Sequence, residues 1–107
     1  MRPELELISD WIRPGARVLD LGCGDGALLA YLQKHRQITG YGLEIDTANT
    51  LKCIQAGVNV IHADLEAGLA DFGDSSFDYV IMTQTLPAVR HTAALLDEML
   101  RVGRQGI

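Results

Sequence analysis

An α/β fold with a doubly wound parallel sheet is the architecture this sequence predicts, and three observations carry the prediction. Short apolar segments alternate with stretches whose apolar residues recur at helical spacing. The first apolar segment, Arg17-Val-Leu-Asp-Leu21, runs straight into the glycine-rich turn Gly22-Cys-Gly-Asp-Gly26. Breakers fall where helices should end, at Pro14-Gly15 and at Gly57.

The elements follow in chain order. Glu4 to Ile12 places Leu5, Ile8, Trp11 and Ile12 at helical spacing, an opening amphipathic helix that Pro14-Gly15 breaks. Arg17 to Leu21 is the first strand. Ala27 to Lys34 is a helix with Leu28, Leu29, Tyr31 and Leu32 as its buried side. Tyr41 to Ile45 is the second strand. Thr47 caps a helix to about Ala56, which Gly57 stops. Val58 to His62 is the third strand, with His62 alternating with apolar neighbours as core histidines do. Asp71 to Ser76 is polar and turn-rich. Phe77 to Met82 is the fourth strand. Ala93 to Val102 is a long amphipathic helix that should turn Leu95, Leu96, Met99 and Leu100 inward.

Strands alternating with helices imply a parallel sheet covered on both faces, with right-handed crossovers. Ligands of such sheets bind outside the carboxyl ends of the strands, near the switch in strand order. Functional residues are therefore expected after Leu21, Leu43, His62 and Met82. The closing Gln105-Gly-Ile107 looks like the start of a fifth strand. Ending the sheet after the fourth strand and its following helix would leave a long edge unpaired. The expectation is a fold cut short there, or an edge covered by a partner. All of residues 1–107 read as one domain.

Composition narrows the function classes. At 48% hydrophobic and 21% charged residues the chain has the make-up of a soluble globular protein. No apolar run approaches the ~18 residues a membrane span requires. The N-terminus has no signal-peptide core, so no membrane association and a cytoplasmic location are expected. Net charge is -5, and between Val18 and Val89 the basic residues are Lys34, Arg36 and Lys52 alone. That excludes the basic footprint a nucleic-acid surface requires. Cys23 and Cys53 form no CxxC pair, and His35, His62 and His91 are scattered, which predicts neither a metal site nor a disulfide framework.

Glycines between a strand and a helix permit positive φ and close approach of a ligand to the backbone, and the helix N-terminus adds N–H donors. Two ligand classes compete for such a loop. A dinucleotide is suggested by Gly22-x-Gly24-x-x-Ala27 with Glu44 about twenty residues on. S-adenosylmethionine, which carries a sulfonium and an ammonium in place of a pyrophosphate, is the other. Charge separates them. Asp20, Asp25, Glu44, Asp46 and Asp64 fall at or near strand ends, and no Lys or Arg lies in the same loops. Two like charges ~5 Å apart repel by roughly 3 kcal/mol at an effective dielectric near 20. A pyrophosphate would meet that repulsion with no cation to offset it, whereas a cationic ligand gains it.

Val18-Leu-Asp-Leu-Gly-Cys-Gly-Asp-Gly26 resembles motif I of the class I S-adenosylmethionine-dependent methyltransferases, whose fold is Rossmann-like. The wider runs Gly40-Tyr-Gly-Leu-Glu-Ile-Asp46, Gly57-Val-Asn-Val-Ile61, Met82-Thr-Gln-Thr-Leu86 and Leu95-Leu-Asp-Glu-Met-Leu-Arg-Val-Gly-Arg104 are similar to the MetW family of methionine-biosynthesis proteins. The resemblance implies S-adenosylmethionine or S-adenosylhomocysteine as cofactor. It implies that Asp20 holds the ammonium end, that Gly22, Cys23 and Gly24 form the loop under the methionine portion, and that Glu44 accepts the ribose hydroxyls. Ile45 would flank the adenine, Asp64 would accept from its amino group, and Leu65 would add an N–H and an apolar wall. Thr83 and Gln84 follow the fourth strand, where the family places further cofactor and substrate contacts. Each has a plainer reading. Asp20 could serve loop amides, Glu44 could end a solvated strand, and Asp46 and Asp64 could cap helices. Cys23 sits beside a helix N-terminus, which lowers a thiol pKa, but no base is tied to it, so packing is its expected role.

Methyl transfer needs in-line alignment more than acid–base groups. No acceptor motif is visible, and no catalytic residue is assigned. The resemblance implies two functional readings. One is a methyltransferase-like protein. The other is a non-catalytic regulatory or supporting subunit of a homoserine O-acyltransferase. A nicotinamide (NAD) domain is a third reading, from the glycine fingerprint alone, and homo-oligomerisation through the unpaired edge is a further expectation.

Overall fold

In the computed structural model, which describes residues 3–64, 69–82 and 92–106, the sheet is organised around β1 (Arg17–Leu21). Past an exposed Arg17 every residue of β1 is buried, as expected of a parallel strand covered on both faces. β2 (Thr39–Glu44) and β4 (Phe77–Ile81) flank it. β3 (Val60–His62) lies outside β2 and β5 (Gly103–Gly106) outside β4. The order is β3-β2-β1-β4-β5 and every pairing is parallel. The chain winds outward from β1 to β3, then returns to place β4 on the other side of β1. The reversal of order between β1 and β4 is where such sheets open a crevice at their carboxyl ends.

The helices are α1 (Pro3–Trp11), α2 (Ala27–Arg36), α3 (Thr47–Gln55) and α4 (Thr92–Val102), with a 3₁₀ turn at Leu69–Asp71. Alternation along β1 sends Val18 and Leu19 to opposite faces and so into two separate cores. Val18 joins Ile12, Leu28, Leu29, Leu32 and Cys53. Leu19 and Leu21 join Leu43, Val80, Leu95, Met99 and Val102. At the amino ends of the strands Asp78 bolts β4 to β1. It accepts from the Arg17 backbone N–H at 2.8 Å and pairs with the Arg17 and Arg13 guanidiniums. These contacts, the backbone bond foremost, hold its carboxyl below the usual carboxylate range. Arg101 on α4 does similar work on the other face, donating to the carbonyls of Leu69 and Phe72 and to Asp74.

Several expectations change. The fifth strand expected to start at Gln105 is present as β5, which pairs parallel along β4 and begins two residues earlier, at Gly103. On α4, Leu95, Met99 and Val102 make the buried line, while Leu96 and Leu100 are exposed. Each of those two lies one residue beyond a buried one, about 100° further round the helix. Trp11, the last residue of α1, is exposed while Ile12 just beyond it is buried, and Tyr31 on α2 is half-buried and stacked on His35. The cap of α3 is Asp46, not Thr47: its carboxylate accepts from the Ala48 N–H at 2.9 Å. His62 is exposed, because β3 is an edge strand whose outward positions meet water.

Candidate ligand site at the carboxyl ends of the strands

The loop after β1 is shaped by its glycines. Gly22, Gly24 and Gly26 have φ of 68°, 60° and 83°, a left-handed conformation that side chains disfavour. The N–H groups of Gly22 and Cys23 both donate to the Leu43 carbonyl, at 2.8 and 3.1 Å, which ties the loop to the end of β2. Asp25 accepts from the Ala27 N–H at 3.0 Å and so serves one of the unpaired donors at the start of α2.

Beneath this loop Asp20 is only 3% exposed, and its Oδ1 has no hydrogen-bond partner among the described residues. Burial, and secondarily the nearby charge of Glu44, push its carboxyl up to about 7. An orphaned, buried carboxylate oxygen is rare enough to ask for a partner. Glu44, at the end of β2, spans the gap between two loops. Its Oε1 accepts from the Gly24 N–H at 2.8 Å and its Oε2 from the Asp46 N–H at 3.0 Å. A carboxylate has about four acceptor positions, so both oxygens keep capacity for further donors. Ile45 stands out into solvent at 62% exposure beside it. Asp64 is exposed just beyond β3. Leu65, Thr83 and Gln84 lie outside the described residues.

The structure thus brings Asp20, Gly22, Cys23, Gly24, Glu44 and Ile45 together. Two acids expected to colour the site are occupied by backbone donors at helix starts: Asp25 accepts from Ala27, and Asp46 caps α3. A buried carboxylate with an unmatched oxygen suits a cationic group, and a second carboxylate beside it suits a pair of hydroxyls. No cluster of metal-ligating side chains occurs among the described residues.

The cysteines give a result the sequence did not suggest. Cys23 Sγ and Cys53 Sγ are 3.5 Å apart, both reduced and buried, and Cys53 Sγ also donates to the Gly24 carbonyl at 3.2 Å. Burial pushes both thiols up, so they are protonated packing groups rather than nucleophiles. This agrees with the packing role expected of Cys23. No spacing signal marks Cys53, because α3, the helix between β2 and β3, delivers it.

The family model for methionine biosynthesis protein MetW matches residues 2–107. The chain is 44% identical over 110 residues to the bifunctional methionine biosynthesis protein MetXA/MetW of Rhodopirellula baltica, covering 95% of this chain and 18% of that protein. Among solved structures, a SAM dependent methyltransferase from Archaeoglobus fulgidus superposes with a TM-score of 0.83 at 24% identity, covering 94% of this chain and 45% of its own. The [4+2]-cyclase SpnF superposes at 0.81 with 21% identity, covering 92% of this chain and 39% of its own. The chain spans less than half the length of these proteins. At such identities the structural matches establish the fold alone, and one shared by a methyltransferase and a cyclase does not fix a reaction.

Proposed function

The chain belongs to the MetW family of methionine-biosynthesis proteins, and on that premise we propose that it binds S-adenosylmethionine or S-adenosylhomocysteine through the loop after β1. The observation that carries the reading is the Oδ1 of buried Asp20, without a hydrogen-bond partner among the described residues, under a loop of left-handed glycines. The cofactor's ammonium would supply the missing partner. Glu44 would accept the ribose hydroxyls on its remaining lone pairs, Gly22, Cys23 and Gly24 would lie under the methionine portion, and Ile45 would cover the adenine. Asp64 would meet the adenine amino group, with Leu65, Thr83 and Gln84 completing the rim. When bound, the cofactor supplies an activated methyl group. What the chain's own residues provide is orientation and a match of charge.

A nicotinamide dinucleotide fits less well. Its pyrophosphate would lie against Asp20 and Glu44 with no Lys or Arg in the glycine loop or in Ile45-Asp46 to offset their charge. Thermal-shift titration with S-adenosylhomocysteine and with NADH discriminates the two. Stabilisation by the first alone supports the reading, and stabilisation by NADH alone overturns it.

A supporting role beside a homoserine O-acyltransferase is the second reading. It is favoured by the MetXA/MetW fusion of the Rhodopirellula relative, in which a MetW part shares one polypeptide with another methionine-biosynthesis protein. On this reading the domain reports cofactor level to its partner in the cytoplasm, and no described helix is long and apolar enough to cross a membrane. Acyltransferase activity that is the same with and without the chain, across cofactor concentrations, overturns it.

A further inference from the structure

The sequence reading gave His62 no part in the site, yet the structure puts its ring against the segment that follows Glu44. His62 closes β3 in register with Glu44 of β2. Its Nε2 lies 2.8 Å from the carbonyl oxygen of Ile45. A carbonyl only accepts, so Nε2 carries the proton and donates. One residue on, the Ala63 N–H donates to the Glu44 carbonyl at 3.1 Å. The end of β3 therefore grips Glu44-Ile45 at two successive carbonyls, and Glu44 in turn holds the glycine loop through Gly24 and the next turn through Asp46. The imidazole itself is exposed and packs in neither core. Its bond to Ile45 has no stabilising burial behind it, which leaves local orientation as its effect.

We propose that His62 is a positioning residue for the nucleoside half of the ligand: by holding the Ile45 carbonyl it sets the Glu44-Ile45 backbone on which the ribose and adenine are received. The proposal rests on the cofactor reading above and adds to it a residue outside the glycine loop. It requires a donor at the place of Nε2 and nothing else of the imidazole. Glutamine carries an N–H at nearly that reach, whereas asparagine is shorter and places its amide near the position of Nδ1.

Titration of S-adenosylhomocysteine into the wild-type chain and into His62→Ala, His62→Gln and His62→Asn, with an unfolding curve for each unliganded protein, tests this. The expected loss is about fivefold in affinity for His62→Ala and His62→Asn, the equivalent of ~1 kcal/mol, because the Glu44-Ile45 backbone must then be ordered on binding instead of being held beforehand. His62→Gln should retain affinity close to wild type, and all four unfolding midpoints should coincide. Imidazole nitrogen shifts of the unliganded wild type should show the neutral ring protonated at Nε2, a readout independent of the ligand. Wild-type binding that His62→Ala leaves unchanged overturns the role of His62 alone. Loss in His62→Gln as large as in His62→Ala, or a ring protonated at Nδ1, also overturns it. A folded wild type that binds no S-adenosylhomocysteine overturns this proposal and the cofactor reading together.

Discussion

The backbone N–H of Gly24 donates to Oε1 of Glu44 across 2.8 Å, joining the loop after β1 to the end of β2. The other oxygen, Oε2, accepts from Asp46. One side chain thereby sets the spacing of the two loops between which a nucleoside would lie. Glu44→Ala leaves two backbone donors without this partner, at a cost of about 1–3 kcal/mol each where they are shielded from water. The variant should melt earlier than wild type and bind S-adenosylhomocysteine at least about tenfold more weakly, the equivalent of ~1.4 kcal/mol. Calorimetry and thermal unfolding on the same sample check both.

Asp20 makes stability depend on pH. Its carboxyl is raised from 3.8 to about 7 in the folded chain, by burial first and by Glu44 second. Between those values the folded state holds a proton that the unfolded state has lost, so this group's contribution to stability falls as pH rises and levels off above about 7. The full displacement corresponds to about 4 kcal/mol. Urea unfolding of the unliganded chain at pH 5 and pH 8 should show the loss, and Asp20→Asn should remove most of it and be the more stable protein at pH 8. Asp78 acts with opposite sign: its lowered carboxyl contributes stability above the ordinary carboxylate pKa that is lost as pH falls through its folded value. Asp78→Asn should therefore soften acid unfolding.

Gly42 faces Cys23 so closely that a Cβ at position 42 would collide with its Sγ and Cβ. Gly42→Ala is expected to destabilise by about 1–3 kcal/mol through overpacking. Cys23→Ala in the same chain should relieve part of that, giving a coupling of about 0.5–3 kcal/mol in a double-mutant cycle. Additive effects of the two substitutions would contradict the packing described.

The paired thiols should be slow to react. Cys23 and Cys53 are buried and raised in pKa, so a disulfide reagent should label the native chain far more slowly than the chain in denaturant. Rapid labelling of either in the native state would show that the loop opens readily.

The alternation of elements and the glycine turn were legible because periodicity and glycine placement are local properties. The parallel sheet and the grouping of Asp20, Gly24 and Glu44 follow from that alternation, while β2 runs Thr39–Glu44 instead of Tyr41 to Ile45 and β3 starts at Val60 instead of Val58. What escaped depends on contacts distant in sequence. Leu96 and Leu100 carry the same apolar character as Leu95 and Met99, and only the facing surface of the sheet decides which line is buried. Edge placement exposes His62, and pairing with β2 puts it beside Glu44. The approach of Cys53 to Cys23 depends on how α3 crosses back over the loop. Asp46 in place of Thr47 as the cap of α3 is a difference of one residue, the usual uncertainty of a helix end.

The most direct test of the central claim is calorimetric titration of S-adenosylmethionine into wild type and Asp20→Asn at pH 8 and again at pH 6. Ionised Asp20 is required to receive a cationic ligand, and its carboxyl titrates near 7 in the unliganded chain. Wild type should bind saturably at pH 8 and about tenfold more weakly at pH 6, where roughly a tenth of the carboxyl is ionised. Asp20→Asn should bind weakly at both pH values. Equal affinity of the folded wild type and the folded Asp20→Asn at pH 8, or no binding by either, would contradict the account.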